Sequence, residues 1–245
     1  MSKQEVDLFF KKLNGKKIEY LCDKDDCSLV ELFLSGQYVP FDRPDAYLVS
    51  NNEVLIIEHF SFNSYITKKK VGSLYRKEFN EIEKSLNKEC ENNPFNYVEK
   101  KINVKSSYVD YRDNCKRIFE DHYNKIDGYR KQLIAKGIAT EDQNFKVCFL
   151  LDEDSILGSG VMDNNRPTPI FLFKSKEFLD FYKKHHKVDW ILSVGRIGNV
   201  VCPYLFTHKS ISLLENKVID YACKQFLSFT PTCLGASVVK NTSKR

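Results

Sequence analysis

Apolar residues recur along this chain at two spacings, and the alternation between them outlines its elements. Val6, Phe9, Phe10 and Leu13 repeat every three or four positions, so residues 3–13 read as a short amphipathic helix. IEYLC (18–22) reads as a strand. DKDDCSLVELFLSG has the form of a capped helix: Asp26 or Ser28 can serve as N-cap, Leu29, Leu32 and Phe33 face inward, and Gly36 stops it. AYLVS and VLIIEHF flank the polar pair Asn51-Asn52, the pattern of a β-hairpin. VLII is apolar at every position, which predicts a central strand covered on both faces.

The rest of the chain reads the same way. From Gly72 to about Cys90, Leu74, Phe79, Ile82 and Leu86 form one stripe on a charged helix. A second long helix is predicted from about Tyr108 to Ala135, with Gly128 as its point of interruption. FKVCFLL (145–151) reads as a buried strand, LGSG (157–160) as a turn, and IFLF (170–173) as a short strand before a helix over SKEFLDFYKKHH. WILSVG (190–195) and VVCPYLF (200–206) form a second hairpin, KSISLLENKVIDYACKQFL a closing helix, and VVKNTSKR a frayed tail. Strands mixed with helices predict an α/β fold, a mixed central sheet flanked by helices. No linker or repeat divides the chain, so residues 1–245 are expected to form a single domain with a long helical insertion at about 91–140.

Composition narrows the class. Forty-two per cent hydrophobic residues, with 18 Phe and 13 Tyr, exclude a disordered chain. No run approaches the ~20 apolar residues of a membrane span, and MSKQEVDLFFKKLNGKK lacks the apolar core of a signal peptide. The expectation is a cytoplasmic protein with no membrane partner. Its eight cysteines include no CxxC and no second pair at zinc-finger spacing beside Cys22 and Cys27, so reduced thiols are expected. No P-loop or GxGxxG motif is present, so no nucleotide cofactor is expected.

Charge adds a partner. The net charge is +5, and residues 61–140 hold the whole surplus, with 17 Lys and Arg against 11 Asp and Glu. Such a segment favours polyanions through counterion release, or is simply a solvated helical face of mixed charge.

Candidate chemistry sits in the first hairpin. Asp45 begins the first strand and Glu58 lies near the end of the second, so folding the hairpin makes the two carboxylates neighbours. Adjacent carboxylates repel unless a cation lies between them, and a hard divalent ion accepts oxygen donors. Glu31 on the preceding helix is a third candidate, and Asp152, Glu153 and Asp154 follow a strand that could end nearby. The structural alternative is that Asp45 caps a turn and Glu58 marks where its strand surfaces. His59 should point to the face opposite Glu58.

A helix bearing Glu31, a hairpin bearing Pro44-Asp45 and Glu58-His59-Phe60, then a helix and a strand resembles the core of the PD-(D/E)xK nuclease superfamily. The likeness covers about residues 18–90 and, more loosely, 145–151. It implies an αβββαβ restriction-endonuclease-like core and Mg²⁺ (or Mn²⁺) held by Asp45, Glu58, the His59 carbonyl and Glu31. It further implies phosphodiester hydrolysis of nucleic acid, DNA and RNA both remaining open. Phe60 departs from the family's pattern, which has Lys there. A cation from the following segment would then stand in, Lys69 or Lys70 by position, with Lys68 beside them and Arg76 and Lys77 as further candidates and nucleic-acid contacts. The other outcome is a nuclease fold without turnover, binding nucleic acid or protein. Monomer and homodimer both remain open.

Overall fold

The computed structural model describes residues 2–65, 71–92, 98–100, 106–153, 155, 158–197, 200–228 and 234–236. In chain order the first elements are α1 (Ser2–Leu13), β1 (Glu19–Tyr20), α2 (Ser28–Leu34), β2 (Val39–Pro40), β3 (Ala46–Ser50) and β4 (Glu53–Phe62). The middle of the chain forms α3 (Val71–Asn92), β5 (Val98–Lys100), α4 (Tyr108–Tyr123), α5 (Ile126–Ala135) and β6 (Asn144–Glu153). Then come β7 (Ser159–Asp163), β8 (Arg166–Pro169), α6 (Lys176–Tyr182), β9 (Trp190–Ile197) and β10 (Val200–Thr207). The last described elements are α7 (Ile211–Leu214), β11 (Phe226–Ser228) and β12 (Leu234–Ala236).

Seven strands make one mixed sheet in the order β1-β10-β9-β6-β4-β3-β2. β2, β3 and β4 form an antiparallel meander, whereas β6 runs parallel to both β4 and β9. β4 stands well inside the sheet because its residues have apolar partners on both sides. Val54, Ile56, Phe60 and Phe62 pack among residues of α4, α5 and α6, including Tyr111, Phe119, Leu133 and Phe178. Leu55 and Ile57 pack on the other face with Val6 and Phe9 of α1 and Val30 and Phe33 of α2. Each fully buried side chain of this kind contributes about 1.5–3 kcal/mol. The fold is α/β, with helices on both faces of the sheet, and no helix among the described residues is long and apolar enough to cross a membrane.

Several elements differ from the periodicity reading. The long helix breaks at Asn124, where a capping N–H reaches the Glu120 and His122 carbonyls, and Gly128 lies inside α5 with open space around it. Asn favours such ends because its side chain competes for backbone hydrogen bonds. At the start of α2 neither Asp26 nor Ser28 is the cap. Asp23 instead caps a 3-10 turn, Lys24–Cys27, which runs directly into the helix.

Leu157 of the expected turn lies outside the described residues, and Ser159 and Gly160 belong to β7, which pairs with β8 across Asn164-Asn165. Both asparagines have positive φ (48° and 59°), as a two-residue hairpin turn requires. IFLF is not a strand: the Leu172 N–H donates to the Tyr204 hydroxyl at 2.7 Å, and a short 3-10 turn follows. The expected C-terminal helix is reduced to the four residues of α7. Beyond it come two 3-10 turns, Glu215–Lys217 and Tyr221–Cys223; between them the Ile219 N–H donates to the Lys174 carbonyl at 2.7 Å, and the buried Tyr221 hydroxyl accepts the Phe171 N–H, so bonds to neighbouring segments replace a continued helix.

Phe119 of α4 is fully buried and meets the rings of Phe60, Phe149, Phe178 and Phe181. Phe119→Ala should destabilise the protein by about 3–5 kcal/mol, read as a lower midpoint in urea unfolding.

Candidate functional site

The β3–β4 register sets the acids side by side. Ala46 pairs with Ile57, so Asp45, one residue earlier, comes opposite Glu58. The contact is reciprocal: the His59 N–H donates to Asp45 Oδ2 at 2.8 Å, and the Asp45 N–H donates to Glu58 Oε2 at 3.3 Å. Each carboxylate therefore takes a backbone donor from the other's strand.

Strand alternation turns Glu58 to the same face as Ile56 and Phe60, toward α4 and α5. Glu58 is buried, at 5% exposure, where an ionised carboxylate is costly unless donors surround it. Two side chains supply them. The Tyr129 hydroxyl donates to Glu58 Oε1 at 2.6 Å, and His122 Nδ1 lies 2.6 Å from the same oxygen. An ionised carboxylate only accepts, so with Glu58 in that form the bond needs the His122 tautomer that carries its proton on Nδ1. Burial, the Glu58 charge and the hydrogen bond to it push the Tyr129 phenol above its ordinary pKa. Phe60 lies flat against the His122 ring, centroids 4.6 Å apart and planes 18° from parallel, and presses edge-on against Phe119 and Phe149. Phe60 thus fixes the imidazole that holds Glu58.

The remaining candidates are scattered. The His59 ring points to the other face and meets Phe9 of α1 edge-on at 5.4 Å. Glu31 is exposed on α2, across the sheet from the Glu58 side chain, where its charge acts on Tyr20 of β1. Lys69 and Lys70, with Lys68, lie outside the described residues. Arg76 and Lys77 fall within α3, but their side chains lie outside the described set. Asp154 is likewise outside it. Among the described residues, no group of three or more His, Cys, Asp or Glu is placed to hold a metal ion.

Asp152 and Glu153 do not join the hairpin acids. Phe149 is the β6 residue beside Glu58, so Glu153 lies about 13 Å farther along the strand direction. Asp152 pairs with Lys12 of α1 and stands 3.7 Å from Arg196 of β9. Glu153 is fully buried beside the hydroxyl cluster of Ser64, Ser155 and Ser159. Burial pushes its carboxyl up to about 8, an effect the Ser159 and Ser155 hydroxyls and the Arg196 charge oppose only in part.

His122 and Tyr129 are the residues that sequence reasoning missed. They stand 64 and 71 positions from Glu58, and no motif joins them to it. The one available signal is helical spacing: Phe119, His122, Ile126, Tyr129 and Leu133 share a stripe in which two members carry polar tips. Comparison with protein-family models, with curated proteins and with solved structures found no match to this chain.

Two measurements check this arrangement. Tyr129→Phe removes a donor to a buried charge and should cost about 1.5–3 kcal/mol of unfolding free energy in urea. For Glu153, the folded state keeps a proton that the unfolded chain releases above its ordinary value of 4.5. Its contribution is full below that value and declines as pH rises through about 8, by on the order of 3–5 kcal/mol at complete burial. Glu153→Gln should flatten this decline in unfolding free energies measured between about pH 5 and pH 9.

Proposed function

We propose that this protein hydrolyses phosphodiester bonds in nucleic acid with the help of a divalent ion, and that Asp45 and Glu58 are its metal-binding carboxylates. The observation carrying this reading is the reciprocal pair itself, two carboxylates on adjacent strands, each bonded to the other strand's backbone. The element order around it supports the likeness to the PD-(D/E)xK superfamily: α2, the meander β2–β4, helices, then β6 parallel to β4.

The donor set suits magnesium. Two carboxylates are a common protein share of its shell, water and phosphate oxygens completing it, and the His59 carbonyl is the third ligand the likeness implies. When bound, such an ion polarises a phosphoryl oxygen and lowers the pKa of a coordinated water. The protein's own part begins with Glu58, which Tyr129 and His122 keep in one orientation. With Nδ1–H committed to Glu58, His122 Nε2 is the atom left to take a proton from water, a role the family's lysine position cannot supply where Phe60 stands. Lys125 just before α5, Lys131 on it and Lys136 just after it are exposed, and we assign them the nucleic-acid backbone.

A second reading has its own support. Phe60 is packed into the core, and Glu58 Oε1 already meets two side chains, as expected of a nuclease-like fold that binds nucleic acid or protein without cutting it. Incubation with DNA and with RNA in Mg²⁺ or Mn²⁺, against EDTA, separates the two. Cleavage should require the metal and fall roughly 100-fold or more in Asp45→Asn and in Glu58→Gln, with folding checked by circular dichroism. Undiminished cleavage in both variants rejects the catalytic assignment. A mobility shift without cleavage in any metal selects the second reading.

A further inference from the structure

Two cysteines unrelated to the acidic site approach each other at the opposite side of the sheet. Cys22 follows β1, and Cys27 ends the 3-10 turn leading into α2. Their sulfur atoms are 2.8 Å apart, and among the described residues this is the one place where two thiols meet. A disulfide spans about 2.05 Å, so closing this one takes a movement of under 1 Å. Cys27 is fully buried and its Sγ–H also reaches the Asp23 carbonyl at 3.3 Å, whereas Cys22 is half-buried and open to a reagent.

We propose that Cys22 and Cys27 form a thiol–disulfide pair, a modification site at which a low-molecular-weight disulfide such as oxidised glutathione converts two thiols into one intrachain disulfide. The Cys22 thiolate attacks one sulfur of the reagent, forming a mixed disulfide and expelling one glutathione thiolate. Deprotonated Cys27 then attacks the Cys22 sulfur, forming the Cys22–Cys27 bond and releasing the second glutathione. Two protein thiols are oxidised, one reagent disulfide is reduced, and the two protons leave with the glutathione thiols. Burial holds both protein thiols above their ordinary pKa, so exchange is favoured at mildly alkaline pH.

The turn between the cysteines has its own reporter. Trp190 is the chain's single tryptophan, and its indole N–H donates to the Asp26 carbonyl at 3.0 Å, one residue before Cys27. Closing the pair therefore changes the surroundings of the one indole.

The test uses the full chain, first reduced and then exposed to excess oxidised glutathione at mildly alkaline pH, alkylated and digested with trypsin. Lys24 lies between the cysteines, so cleavage there should yield two peptides joined by sulfur. Their combined mass should lie two hydrogens below that of the reduced peptides. Trp190 emission should fall with the same time course and recover with dithiothreitol, and in Cys22→Ser/Cys27→Ser neither change should occur. Cys27→Ser should leave Cys22 as a lasting glutathione adduct. Recovery of both wild-type cysteines alkylated, or of a persistent Cys22 adduct beside alkylated Cys27, overturns the proposal.

Discussion

A carboxylate in the interior of a sheet must find its compensation where it sits, and Glu58 organises one face of this protein around that requirement. The other residues on its face of β4, Val54, Ile56, Phe60 and Phe62, are apolar, so the donors come from segments packed against it: the Asp45 backbone from just before β3, His122 from α4 and Tyr129 from α5. Each donor is itself constrained. Asp45 is held by the His59 N–H, and His122 is pressed against Phe60. Removing one partner would leave a buried charge short of donors, which is why such groups are costlier to disturb than their net contribution suggests.

The same arrangement bears on the two functional readings. In the family that the hairpin resembles, the residue two positions after the second acid carries a positive charge; in this chain that side chain is a ring lying against an imidazole. The Phe60 ring supports His122 instead, and through it a histidine delivered by a helix reaches Glu58.

Local chemistry decided how much could be read in advance. The hairpin and its adjacent acids were legible because an apolar strand, a two-residue polar turn and a return strand are contiguous, and the pairing follows from counting. The β7–β8 hairpin carries the same cue in Asn164-Asn165, but Asp163 and Arg166 flank the turn and two prolines interrupt β8, so no apolar run marks its strands. The expected closing helix fails for the converse reason: Ile211, Leu214 and Val218 have helical spacing, yet the next residue, Ile219, donates its N–H to Lys174, far away in sequence. His122 and Tyr129 were invisible as site residues since their role exists only once α4 and α5 lie on β4. Long-range partners of this kind leave no trace in a local pattern.

β1 has a further consequence. Its two residues pair in parallel with Tyr204 and Leu205 of β10, so a segment near the start of the sequence is completed by one made much later. During vectorial synthesis the apolar undersides of α1 and α2 must wait for that late partner, since Leu205 and Leu192 form part of the surface they cover. Early intermediates would carry this greasy face uncovered, a topology that folds slowly and invites chaperone capture until the ribosome has delivered the final strands.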